Sequence, residues 1–325
     1  PNPDASALQS YNRTSPLGPL LFKALPMHTT GAYLALYAMA FLLAMALLAA
    51  WLYLAVPRTQ GSRAVRLIIL GPAVAAIFVS MGNYDPFTFL CIALVLMAWR
   101  YGGRVALISA GVLLGFQHFE QGFVALVALS LAVMATESLL PENLRNRRQP
   151  LWALIGLLGG KAVLAAVLAF QGVNPTDGRS AYLTDFALVR QALTAAVNNF
   201  PTLLTSLFAG LWAVVLIAFF FLPGVRSRAV ALIAVGLPLF AAVTTLDQTR
   251  VFSMATLAVV ALCIVAVLND SRILKLPWAL TAVEACAWIV VPPSLYVSPG
   301  LGGHIFTPNA VDHVIILIQQ LQGLS

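Results

Sequence analysis

Apolar runs recur along nearly the whole chain, and their spacing sets its organisation. Continuous apolar stretches occupy 31–56, 67–80, 87–99, 105–116, 122–135, 151–170, 201–222, 230–246, 251–268 and 278–297. The runs are unbroken rather than alternating, which selects helices over the strands of a barrel. Each is read as a membrane span, giving an all-α, polytopic transmembrane bundle of about ten spans with several short or broken helices. The whole chain, 1–325, is read as one transmembrane domain. Residues 1–30 form an outer loop with a short interfacial helix, 171–200 an outer loop, and 298–325 an outer C-terminal tail with an amphipathic segment near 311–321.

Composition agrees. The chain is 61% hydrophobic and 9% charged, with a mean hydropathy of +0.92, well beyond the apolar share of about 45–50% in soluble domains. The net charge of +7 does not point to nucleic acid, because basic residues of membrane proteins concentrate in cytoplasmic loops. Cys91, Cys263 and Cys286 lie inside apolar runs and read as core residues rather than a disulfide or metal set.

The charges also order the loops. The connections 57–66, 100–104, 136–150, 223–229 and 269–277 carry twelve of the eighteen Lys and Arg residues. The opposite set, with both termini, carries Arg13, Lys23, Arg179, Arg190 and Arg250. The first set is expected on the cytoplasmic side. Acidic residues segregate the other way: Asp4, Asp85, Glu120, Asp177, Asp185, Asp247 and Asp312 are expected outside. The chain begins Pro-Asn-Pro-Asp, and an outer N-terminus implies that a first span is missing upstream.

Four consecutive short runs, 67–80 to 122–135, imply that the polar turns between them dip below the outer surface. Such turns survive at membrane depth only where they line a cavity or are buried in protein. That places Asn83-Tyr84-Asp85 and His118-Phe119-Glu120 in the walls of an outward-facing cavity. His118 and Glu120 are two apart, so an extended backbone puts them on one face, where they suit proton transfer or substrate contact. A capped turn explains them equally. Asp85 precedes Pro86 and suits a helix start. Asp247 and Arg250 have the spacing of an i,i+3 ion pair, and Arg250 has the planar fork that grips phosphate. Lys161 and Glu284 are the charges inside spans and are expected to pair with each other. No Cys/His spacing suggests zinc, and no phosphate loop is present.

Asp4, followed by Tyr11-Asn12-Arg13 and the apolar stretch 17–25, and the turn Gly82-Asn83-Tyr84-Asp85-Pro86, resemble the GT-C superfamily of polytopic membrane glycosyltransferases. In that family an acidic residue on the first outer loop precedes interfacial helices. The resemblance implies transfer of a sugar from a polyprenyl-phosphate donor to an acceptor at the outer face. It implies a carboxylate base, Asp4 or Glu120, with His118 beside it. It also implies substrate contacts from Tyr84, Asp85 and Asp247, with Arg250 on the phosphate. The partners expected are the lipid-linked donor and membrane lipids, with no nucleic acid. A divalent metal held by carboxylates is compatible with such chemistry, and no other cofactor is implied. The setting expected is a bacterial inner membrane with the active face outward. Competing readings are a polysaccharide (O-antigen-type) polymerase or ligase using the 171–200 loop, a secondary transporter coupled through Lys161 and Glu284, and a non-catalytic assembly protein.

Overall fold

A computed structural model describes residues 15–25, 29–79, 81–170, 172, 186–198, 200–245 and 247–289. Expectations for Asp4, for most of the 171–200 loop including Asp177, Arg179 and Asp185, and for the C-terminal tail fall outside these residues. The described residues are helical, without strands. The helices are α1 (Leu17–Ala24), α2 (Thr30–Ala55), α3 (Gly61–Ile69), α4 (Pro72–Val79), α5 (Asp85–Tyr101), α6 (Gly103–Thr136) and α7 (Gln149–Phe170). They continue as α8 (Phe186–Asn198), α9 (Phe200–Phe208), α10 (Trp212–Phe220), α11 (Gly224–Val243), α12 (Gln248–Asn269), α13 (Ser271–Leu274) and α14 (Pro277–Ile289).

Six helical segments are long and apolar enough to cross a bilayer, or seven if the bent pair α3–α4 counts as one span. They mark an integral membrane protein, as does the outer surface, where Met39, Leu42, Leu158 and Phe240 stand exposed. The count is below the ten expected. Runs 105–116 and 122–135 share one helix, α5 has 17 residues, and the described part of α14 has 13. The expected loop 57–66 is also largely helical: a 3-10 turn at Arg58–Gln60 leads into α3, and a 50° bend separates α3 from α4.

Helix α12 is the centre. In its apolar window 94% of the residues are buried, against 17% for α11. A helix apolar on all sides belongs inside a bundle.

Helix α6 does not run straight. His118 has φ −160° and ψ 84°, outside the helical region. The side chain of Leu114 comes within 2.8 Å of where a Gly122 Cβ would sit, and that of Leu157 within 2.7 Å. Along a straight helix residues 114 and 122 would lie about 12 Å apart in height. The chain therefore folds back at His118, so the expected turn is present even though helical bonding runs close on both sides.

The first half of α6 packs parallel to α7 along a seam of small residues. A Cβ at Gly111 would strike the carbonyl oxygen of Ala153, and one at Gly115 that of Leu157. Reciprocally, a Cβ at Gly156 would strike the Ile108 carbonyl and one at Gly160 the Val112 carbonyl. Both helices thus carry glycines four apart, which let backbones touch where lipid offers no hydrophobic drive for association. Rising residue numbers pair on both helices, so the two run in the same direction.

The five basic connections meet at one end. Arg100 Nη2 donates to the Leu54 carbonyl at 2.5 Å, and Asn269 Nδ2 to that of Ala55 at 3.0 Å. One cavity is lined jointly by residues from 138–145, 220–228 and 269–272. Both ends of α6 are therefore at the basic end and His118 is at the other.

The seam predicts an unequal response from adjacent positions. Gly160→Ala should cost about 1–3 kcal/mol by forcing the helices apart. Gly159→Ala meets only Val112 Cγ2 at 3.7 Å and should be neutral or stabilising by up to about 1 kcal/mol. Thermal unfolding of the two variants in detergent checks this; equal losses would refute the seam.

Candidate functional site

The end opposite the basic connections gathers the expected site residues from three elements. Arg250 is in the first turn of α12. Its Nη1 donates to Asp85 Oδ2 at 3.1 Å and its Nη2 to the Tyr84 hydroxyl at 3.1 Å. Nη2 also pairs with Asp247 Oδ2, and the guanidinium carbon stands 5.3 Å from the centre of the Tyr84 ring. The Asp85 side chain is 1% exposed, that of Arg250 12% and that of Asp247 25%. Two carboxylates on one guanidinium satisfy the rule that a buried charge needs a charged, hydrogen-bonded partner.

Local sequence explains the placement. Tyr84 is the N-cap of α5, Asp85 its first residue and Pro86 follows in the first turn. Asp85 therefore points from a helix start rather than capping it. Asp247 occupies the N-cap position of α12 but makes no capping bond, because its carboxylate turns to Arg250. The expected i,i+3 pair is present, without the cap.

The turn at His118 forms the adjoining wall. Its imidazole packs edge-on to Tyr84, ring centres 4.9 Å apart, so Tyr84 lies between Arg250 and His118. His118 Nδ1 accepts the Gln121 backbone N–H at 3.4 Å and lies 3.8 Å from Glu120 Oε2. The extended conformation of His118 lets it share a face with Glu120. A proton taken up at Nδ1, which requires release of the Gln121 N–H, would sit beside a carboxylate, as suits a general base.

Gln117 ties the wall together, a role the sequence did not reveal. It is fully buried, its Nε2 donates to the Tyr84 carbonyl at 3.1 Å, and its Oε1 accepts from Leu17 N at 3.1 Å. Nothing in the sequence distinguished it from Gln121. Helix α1 is thereby fixed over the turn. Its Leu20 and Leu21 side chains are exposed, and Gly18 packs on Tyr37, as suits a short amphipathic helix.

The expected Lys161–Glu284 pair does not form. Lys161 Nζ bonds Glu120 Oε1 at 3.0 Å and stands 5.1 Å from the centre of the Phe119 ring. Glu284 instead takes Arg63 Nε at 3.1 Å and Arg66 Nε at 2.5 Å. The reason is register. The glycine seam puts Lys161 level with the turn, while α3 places Arg63 and Arg66 one turn apart facing α14. Helix α7 continues nine residues past Lys161 to Phe170, a rise of about 13 Å. The cluster is thus recessed from the end of α7.

Among the described residues no group of three or more His, Cys, Asp or Glu side chains gathers as a metal site. The arrangement offers instead a buried, carboxylate-held guanidinium beside an imidazole–carboxylate pair.

The revised pairing is testable by exchange. Glu120→Lys with Lys161→Glu should recover most of the thermal stability that either single change removes, whereas Lys161→Glu with Glu284→Lys should recover none. Recovery by the second exchange, and not the first, would reverse the assignment.

No protein family matches the chain, and no curated protein or solved structure matches it.

Proposed function

We propose that the chain is a multi-pass membrane glycosyltransferase that moves a sugar from a polyprenyl-phosphate donor to an acceptor hydroxyl. In this reading α6 counts as two crossings, α5 and α14 as one each, and α3–α4 as one bent crossing, giving ten. The basic connections face the cytoplasm of a bacterial inner membrane, and the cluster around Arg250 faces outward.

The observation that supports the reading most is the meeting of Arg250, Tyr84, Asp85, Asp247, His118 and Glu120 in one recessed cluster. In the transfer, the acceptor oxygen attacks the sugar's anomeric carbon and the bond from that carbon to the phosphate oxygen breaks. The acceptor proton passes to the His118–Glu120 pair, and the electron pair stays on the departing polyprenyl phosphate. Arg250 stabilises that developing charge. Asp85, almost wholly buried, positions the guanidinium, and the more exposed Asp247 is the carboxylate that yields when phosphate arrives. Asp4 remains a second candidate base, outside the described residues.

One observation favours a transporter. A helix broken at membrane depth beside an ion pair, here His118 with Lys161–Glu120, is also how coupled transporters are built.

Purified protein in nanodiscs should bind a polyprenyl-phosphate sugar. Arg250→Ala should weaken binding at least about tenfold, the loss of one charge-assisted contact. Glu120→Gln should bind donor normally and turn over about 100-fold more slowly or worse. Donor-independent solute uptake into proteoliposomes that requires Lys161 would overturn the transferase reading.

A further inference from the structure

The basic end holds a second feature that the transferase reading does not use. A cavity of about 720 Å³ opens between the connection after α6, the α10–α11 junction and the end of α12. Its walls include Arg145, Arg228 and Arg272, Ser138 and Asn269, and, as the one acidic residue among the described residues that line it, Asp270. Three arginines against one aspartate leave it strongly cationic.

The arginines are anchored by backbone and carboxylate partners. Arg145 Nε donates to the Leu140 carbonyl at 2.8 Å. Arg272 is gripped by Asp270, Nη2 to Oδ2 at 2.6 Å and Nε to Oδ1 at 3.1 Å, and stands over the Phe221 ring at 4.8 Å. Those hydrogen bonds hold the Asp270 carboxyl below the usual carboxylate range, so it stays ionised and occupied with Arg272. Arg228 Nη2 reaches the Phe220 carbonyl at 3.3 Å, but its Nε is buried without a hydrogen-bond partner.

We propose that this cavity is a binding site for a phosphate-bearing anion, with Arg228 and Arg145 as its principal contacts and Asp270 as the residue that positions Arg272. Planar guanidinium forks from separate elements suit the several oxygens of a phosphate or diphosphate group. The volume is within the range of small-molecule sites. The same chemistry is presented by an acidic lipid headgroup of that leaflet and by a soluble phosphate ester. The site is independent of the transferase reading, since it lies at the opposite end of α12.

The test uses the full chain in phosphatidylcholine nanodiscs at constant ionic strength, read by thermal unfolding. One arm titrates pyrophosphate, and the other compares phosphatidylcholine with discs doped with phosphatidylglycerol. A saturable rise in Tm with pyrophosphate identifies a soluble ester site. A rise only with phosphatidylglycerol identifies a headgroup site. In the responding arm, Arg228→Gln and Arg145→Gln should each weaken the apparent affinity about tenfold. Arg104→Gln, whose guanidinium stands over Trp152 away from the cavity, should leave it unchanged. Arg145→Gln serves alone if Arg228→Gln does not fold. No response in either arm, or a response that Arg145→Gln leaves intact, overturns the proposal.

Discussion

A guanidinium at the head of a buried helix constrains this fold more than any other single group. Helix α12 is enclosed by its neighbours over almost its whole length, so Arg250 in its first turn has little water to rely on. Burying such a charge alone would cost several kcal/mol. Asp85 and Asp247 meet it from two sides and Tyr84 from a third. Satisfying Arg250 therefore fixes where α5 must begin relative to α12. It also fixes the Tyr84 ring against which His118 packs.

The second wall is set by a different force. Glycines 111 and 115 on α6 and 156 and 160 on α7 allow backbone contact that any side chain would block. That contact sets the register between the helices, and the register delivers Lys161 to Glu120. It also leaves the turn at His118 short of the end of α7. The recess follows from packing of small residues and not from any property of the turn itself.

Much of this was legible in the sequence, and for physical reasons. Loop charges are set by membrane orientation, so the basic connections could be grouped before any contact was known, and they do meet at one end. The His118–Glu120 and Asp247–Arg250 spacings are local, and local geometry carried them. The partners of Lys161 and Glu284 were not legible, because pairing across helices depends on a register that hydropathy does not encode. Arg63 and Arg66 looked like loop charges because charge usually ends a span; here both are on α3 and reach Glu284. Gln117 resembled its neighbour Gln121, and only its burial and its two long-range bonds set it apart.

In the proposed transfer the cluster around Arg250 receives the phosphate of a polyprenyl-linked sugar. A cryo-electron microscopy structure of the protein in nanodiscs with such a donor addresses it most directly. The donor phosphate should lie within hydrogen-bonding distance of the Arg250 guanidinium, with Asp247 displaced and Asp85 still in place. Donor phosphate bound only in the cavity at the basic end, with the Arg250 cluster unchanged, would contradict it.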